Sequence, residues 1–180
     1  KVIKAAKGDK DASDNDTYWA TFSYRDNDVT LSVPEGRTLA VYNATVDKQT
    51  MTLTQRDDCQ VAKGEGVLLK SDDVYVNVKA NENNELTGET YDNNNLVATP
   101  SDAKTITADD GYKLYRLTYN NVSTKEGLGF YLGGVGAVKD GSQLKATPGK
   151  AYLKVAKSAL GTAPIRGFVI GEDDNTTGID

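Results

Sequence analysis

Histidine is absent from all 180 residues. That removes the usual general base at neutral pH, the Ser-His-Asp and Cys-His constellations, and the commonest zinc ligand. Cysteine occurs once, as Cys59, which excludes an intramolecular disulfide, a thiolate metal cluster and a small scaffold held by cross-links. No apolar run approaches the ~20 residues of a membrane-spanning helix, and the longest, such as Gly66 to Leu69, are strand-length. Positive charge is scarce: 21 Lys and Arg against 26 Asp and Glu leave a net charge of −5, with no basic stripe of the kind that phosphate backbones demand. Nucleic acid is set aside as a partner, and no cofactor or metal is expected.

What remains is enough for a core, with 38% hydrophobic residues in a chain of one-domain length. The chain opens at Lys1 without a signal-peptide pattern, so any targeting segment is expected to have been removed. Residues 1–16 combine Val2 and Ile3 with an acidic, loop-forming run, and read as an arm followed by a solvated loop. Residues 17–80 form a first β half. Tyr18, Ala20, Phe22 and Tyr24 alternate with Trp19, Thr21 and Ser23, and Val29 to Val33 alternates in the same way. Leu39 to Ala44 and Met51 to Leu53 read as a hairpin, and strands follow at Val67 to Lys70 and Val74 to Val78.

Residues 81–110 are rich in Asn and read as a connector carrying short strands at Leu96-Val97-Ala98 and around Ile106. Residues 111–172 form a second β half, with strands at Tyr112 to Leu117, Leu128 to Leu132, Ala151 to Lys154 and Ile165 to Ile170, and one helical turn within Ser158 to Thr162. Residues 173–180 are a tail. The fold expected is all-β: an antiparallel sandwich or barrel-like architecture of two pseudo-repeated halves, with very little helix.

The repeat rests on a doubled phrase. AKGEGVLLK at 62–70 and ATPGKAYLK at 146–154 each run from a Gly turn into an apolar strand ending in Leu-Lys. The spacing predicts strands in equivalent positions of the two halves, with Leu69 and Leu153 both buried; the aromatic strand Thr17 to Tyr24 is matched to Tyr112 to Tyr119. Neither phrase is a phosphate loop, because Gly-x4-Gly-Lys-Ser/Thr between strand and helix is missing. Gly127-Leu-Gly129 and Gly133-Gly134-Val-Gly136 lack the βαβ surroundings of a dinucleotide site.

Three further roles compete with plain structural ones. The acidic run Asp9 to Asp16 fails the EF-hand pattern, since Asp14 stands where Gly is required and the bidentate Glu is missing. A glycosidase needs two carboxylates about 5 to 10 Å apart, but the acids here cluster in turns such as Asp26-Asn27-Asp28, Asp72-Asp73 and Asp109-Asp110. Ten tyrosines, three phenylalanines and Trp19 leave open a stacking surface for sugar rings, with Trp19, Tyr18 and Tyr24 as the candidate ligand-binding residues, or a role for most of them in the core.

The set TYWATFS, VTLSVP, LAVYNATV, VAKGEGVLLKS, NNLVATP, YKLYRL, GLGFYLGG and ATPGKAYLKV, ending in Thr-Thr-Gly-Ile, resembles the β-rich modules near the C-termini of secreted and surface proteins of Bacteroidetes bacteria, from Tyr18 to Ile179. Such modules often run on to a sorting tail, whereas this sequence stops at Asp180. The resemblance implies a secreted, outer-membrane or cell-surface setting beside other domains of one polypeptide. It carries over no catalytic residue. The function expected is a non-catalytic spacer or an adhesion and interaction domain, with a glycan or another surface protein as partner. A carbohydrate-binding module is the alternative, and a carboxylate-pair glycoside hydrolase a more distant one.

Overall fold

The computed structural model describes residues 2–4, 6–7, 16–86, 91, 93–102, 104–120, 127–171 and 174–179. Most of the acidic run tested for calcium, 9–15, lies outside them. The chain is all-β, with two short 3-10 turns at Glu82–Asn84 and Lys157–Ala159 among the described residues. None of the described helices is long and apolar enough to cross a membrane.

The strands in chain order are β1 (Val2–Lys4), β2 (Ala6–Lys7), β3 (Tyr18–Phe22), β4 (Val29–Ser32), β5 (Leu39–Asp47), β6 (Thr50–Gln55), β7 (Gln60–Val61), β8 (Val67–Ser71) and β9 (Tyr75–Ala80). There follow β10 (Leu96–Ala98), β11 (Thr105–Thr107), β12 (Tyr112–Asn120), β13 (Gly127–Leu132), β14 (Gln143–Lys145), β15 (Ala151–Ala156), β16 (Gly167–Val169) and β17 (Asn175–Thr177). Among the described residues they pair antiparallel into four sheets. Sheet A runs β1-β9-β4-β7, sheet B β17-β6-β5-β8-β3-β2, sheet C β10-β15-β12-β13-β16 and sheet D β11-β14.

The strand orders reveal a repeated six-strand unit. In sheet B the run β3-β8-β5-β6-β17 has the same order as β10-β15-β12-β13-β16 in sheet C, while β4 pairs β7 in sheet A as β11 pairs β14 in sheet D. β3 to β8 therefore correspond one by one to β10 to β15. The doubled phrase occupies β8 and β15, equivalent strands as predicted, and Leu69 and Leu153 are both buried. The other match is corrected: Tyr112 to Tyr119 corresponds to β5, not to β3. LAVYNATVD of β5 aligns with YKLYRLTYN of β12, placing Tyr42 over Tyr115 and Thr45 over Thr118. The counterpart of β3 is the three-residue β10, inside the Asn-rich segment read as a connector.

Register also shifts the doubled phrase by one residue. Tyr42 pairs with Leu68 and Tyr115 pairs with Leu153, so the equivalent of Leu153 is Leu68 and not Leu69. Because side chains alternate with period two, that single step decides which core each leucine enters. Leu69 joins Phe22, Val29, Leu31, Val41 and Val76 between sheets A and B. Leu68 and Leu153 meet in the larger core between sheets B and C, with Trp19, Met51, Tyr115, Phe130, Ile165 and Phe168. Leu114, Leu144 and Tyr152 fill a third, between sheets C and D. Sheet B is thus covered on both faces, and sheet C over β10, β15 and the start of β12, which is why β8 and β15 read as near-continuous apolar runs instead of alternating.

The units are also stitched together by backbone and side-chain polar groups. β8 pairs β5 only along Leu39 to Tyr42, so the amides of Ala44 and Val46 need other acceptors. They find the side-chain oxygens of Asn94 and Asn95, at 3.2 and 3.1 Å. Asn94 Nδ2 donates to the Gly66 carbonyl and Asn95 Nδ2 to that of Lys154. Across the junction the Ala151 amide donates to Thr21 Oγ1 and the Ser23 hydroxyl to the Lys150 carbonyl. The C-terminal segment, read as a tail, supplies β17 to the edge of sheet B.

Gly66 lies where the units come closest. A Cβ there would stand 2.9 Å from Ala151 Cβ and 3.0 Å from the carbonyl carbons of Leu96 and Val97. Because backbone cannot step aside as a side-chain tip can, Gly66→Ala is expected to cost about 1–3 kcal/mol. Thermal melting would show it. Adding Ala151→Gly should return only part of the loss, since the two carbonyl contacts remain, and an unchanged midpoint for Gly66→Ala would contradict the close approach.

Candidate functional site

The residues singled out for stacking do not form an open platform. Trp19 is 6% exposed and sits in the shared core, stacked on Tyr42 at 6.2 Å, with Lys70 Nζ 5.3 Å from its ring centre. Its face of β3 turns toward sheet C, so the second unit covers it. Tyr18 and Tyr24 are half-buried against the core between sheets A and B. The stacking surface expected around Trp19 is therefore corrected to a buried pair at the junction.

The turn acids behave as backbone caps. Asp72 Oδ1 accepts from the Thr38 amide, Asp73 Oδ1 from Tyr75, Asp28 Oδ1 from Lys63 and Asp58 Oδ1 from Gln60. Asp140 takes both the amide and the hydroxyl of Ser142, and these bonds hold its carboxyl below the usual carboxylate range. This is the ordinary use of Asp in loops. Among the described residues no group of three or more His, Cys, Asp and Glu is placed to hold a metal ion.

Arg56 is a buried charge. It follows β6, and its side chain is 1% exposed. Nε and Nη2 donate to Asn43 Oδ1 at 2.8 and 2.6 Å, while Nη1 donates to Glu65 Oε1 at 2.7 Å and to the Gln60 carbonyl at 3.1 Å. The guanidinium lies 4.3 Å from the Tyr91 ring centre. Glu65 also accepts the Ala62 amide and bridges by its backbone to Val97 of the second unit. The cluster locks a corner of the first unit to the junction, and its polar groups are turned on one another.

Three buried phenols add a response to pH. Tyr115, in the shared core, donates to the Ile165 carbonyl at 2.6 Å. Burial pushes the Tyr115 phenol far up. It also raises Tyr42, with Asp174 adding to the effect, and Tyr152, where Lys154 opposes the rise and Asp109 adds to it. The unfolded chain releases such protons near pH ~10 while the native chain keeps them, so the unfolded state binds fewer protons above that pH. Stability is intact below pH ~10 and falls above it, by at most ~1.4 kcal/mol per pH unit for each phenol that stays protonated in the native chain. Urea unfolding through the alkaline range should show the slope. Tyr115→Phe should flatten it, and an unaltered slope would exclude Tyr115 as a contributor.

The cavity with the most distinctive chemistry opens on the outer face of sheet C. It has a volume of ≈ 420 Å³ and is lined by Arg116, Thr118, Tyr131, Leu132, Gly134, Lys139 and Arg166. Its geometry follows from register. Arg116 of β12 pairs with Tyr131 of β13, which pairs with Gly167 of β16. A Cβ at Gly167 would meet the Tyr131 ring at 2.4 Å, so the glycine leaves room for the ring that lines the groove. The Tyr131 hydroxyl donates to the Gly127 carbonyl at 2.8 Å. Arg166 is set by its own backbone, its amide bonded to Ile179 and its carbonyl to Leu132.

The far wall is a finger at 134–139, closed by a bridge between Val135 and Val138. It folds back so tightly that a Cβ on Gly134 would reach 1.7 Å from the Val138 carbonyl oxygen. Val135 and Val138 are 50% and 60% exposed at its tip. Around the other side of Arg116 a second recess of ≈ 290 Å³ runs to Lys145, Thr147 and Lys150 at the junction of the units. No carboxylate lines either cavity among the described residues, in a chain whose net charge is −5.

Sequence reasoning missed this site because its cations lie 23 or more positions apart and meet only through β12, β13 and β16 pairing. Two signals were present: Arg116 shares a strand face with Leu114, and Arg166 interrupts the apolar run IRGFVI. Comparison with protein-family models, curated proteins and solved structures finds no match for this chain.

Proposed function

We propose that the chain is a non-catalytic extracytoplasmic β module of a larger secreted or surface protein, serving as a structural spacer and interaction domain. The observation that carries this reading is the fusion of two like units into one body. The larger core draws Trp19, Met51 and Leu68 from one unit and Tyr115, Phe130 and Phe168 from the other, and Asn94 and Asn95 close the seam. A body of this kind holds its surfaces at fixed separation, as a spacer must, and carries loops and grooves on a rigid frame. The resemblance of its strand-and-turn phrases to those of Bacteroidetes surface modules supports the same reading.

Labelling intact cells of the source organism with a membrane-impermeant amine reagent tests the setting. The chain should be modified without lysis, at exposed lysines such as Lys63, Lys139 and Lys145. Modification only after lysis would overturn the extracytoplasmic reading.

A further inference from the structure

Resting on the interaction half of that reading, we infer that the open edge of β11 is a docking site for an extended strand of a partner polypeptide, one with an aliphatic residue at every second position. The repeat itself shows which strand is missing. β7 and β14 each carry a glutamine followed by an aliphatic residue, Gln60-Val61 and Gln143-Leu144, and these pair with Thr30-Val29 and Thr107-Ile106. Thr107 therefore stands where Thr30 does, and Ile106 where Val29 does. In the first unit the other edge of β4 is taken by β9, with Val29 opposite Ala80, Thr30 opposite Lys79 and Leu31 opposite Val78. In the second unit no described strand takes the matching edge of β11, and sheet D ends there after two strands.

Bond direction makes that edge a ladder. The Ala108 amide donates to the Ser142 carbonyl, and the Lys104 carbonyl accepts from the Ala146 amide, so the even-numbered residues of this stretch bond toward β14. Alternation turns the amides and carbonyls of Thr105 and Thr107 to the open side, and both residues are exposed. The core beneath lacks the same strand. Between sheets A and B, β9 adds Val76 and Val78, and Val29 is 0% exposed. Between sheets C and D, Ile106 and Ala108 are only half-buried against Leu114, Leu144 and Tyr152. A strand beside β11 would lay one aliphatic side chain opposite Ile106 and the next opposite Ala108, as Ala80 and Val78 lie opposite Val29 and Leu31. Main-chain bonds then give affinity, and the alternate side chains give specificity. A second copy of this chain fits less well. Two-fold pairing about Ile106 would offer a single isoleucine per strand and bring Asp102 toward Asp110 of the other copy, like charges facing at both ends.

Fluorescence polarisation with a labelled peptide of the β9 sequence, YVNVKAN from Tyr75 to Asn81, tests the edge on the intact chain. In β9 the Asn81 amide donates to the Asp28 carbonyl of the chain leading into β4, so alternation aims the Asn77 and Lys79 amides at β4 as well. N-methylating those two amides of the peptide should weaken binding by roughly tenfold or more, whereas N-methylating Val76 and Val78 should change it little. Thr105→Pro and Thr107→Pro each remove an outward amide while leaving the backbone bonds to β14, and each should weaken the unmodified peptide. Thr177→Pro, on the outer side of β17, should not. Trp19 fluorescence checks that each variant is folded, and the two methylated peptides test the ladder on the unaltered chain. No binding of the unmodified peptide, equal weakening by the two methylation patterns, or binding retained in both β11 variants, as exchange into sheet A would give, would each overturn the inference. So would a dimer of the chain that Thr107→Pro dissolves, since the occupant would then be a second copy. The cell-labelling result stands apart from all of these.

Discussion

Arg56→Ala is expected to destabilise the fold by about 3–5 kcal/mol, the usual effect of breaking a buried ion pair from one side. The reason lies in what is left behind. Asn43 Oδ1 loses two donors and Glu65 loses its counter-charge, and both sit where water has little access: Asn43 is 5% exposed and the Glu65 side chain 18%. An uncompensated carboxylate in that position costs far more than the pair contributed. The damage should reach the junction, since Glu65 adjoins both Gly66 and the bridge to Val97. Urea denaturation followed by Trp19 fluorescence measures the loss. Arg56→Met combined with Glu65→Gln should recover part of it, because no net charge is then stranded. A loss below about 1 kcal/mol, the scale of an exposed pair, would show that the cluster is effectively solvated.

The second large effect concerns the shared core. Phe130→Ala removes a fully buried ring from the second unit and should cost about 3–5 kcal/mol. The informative readout is again Trp19, which belongs to the first unit but packs in the same core as Phe130. If the two units unfold as one, the truncation shifts the transition seen by Trp19 as far as the one seen by far-ultraviolet circular dichroism, with a single midpoint. Two transitions, with the Trp19 signal unmoved, would mean that the units are independent and that the rigid spacer reading fails.

Strand content was the legible part. Tyr18 to Phe22, Val29 to Ser32 and the β5–β6 hairpin all announce themselves by alternation, because one side chain in two must face a core. The two-residue β7 and three-residue β14 were not legible, being too short to show any period. Asn93-Asn94-Asn95 misled for a physical reason. Side chains that favour turns do so by bonding to backbone, and here the same bonds are made to the amides of a distant strand. The groove was illegible for a different reason: Arg116, Lys139 and Arg166 are ordinary surface residues until strand pairing sets them side by side.

By itself the sequence determined the class: all-β, duplicated, without histidine chemistry, intramolecular disulfides or helical membrane spans, since these follow from local periodicity and from which atoms are present at all. Only the tertiary structure decided the faces. Whether Leu68 or Leu69 answers Leu153, whether Trp19 meets solvent or Tyr42, and whether three scattered cations share one groove all turn on register between strands far apart in the chain. A one-residue step in that register moves every side chain to the opposite face, and no local pattern specifies it.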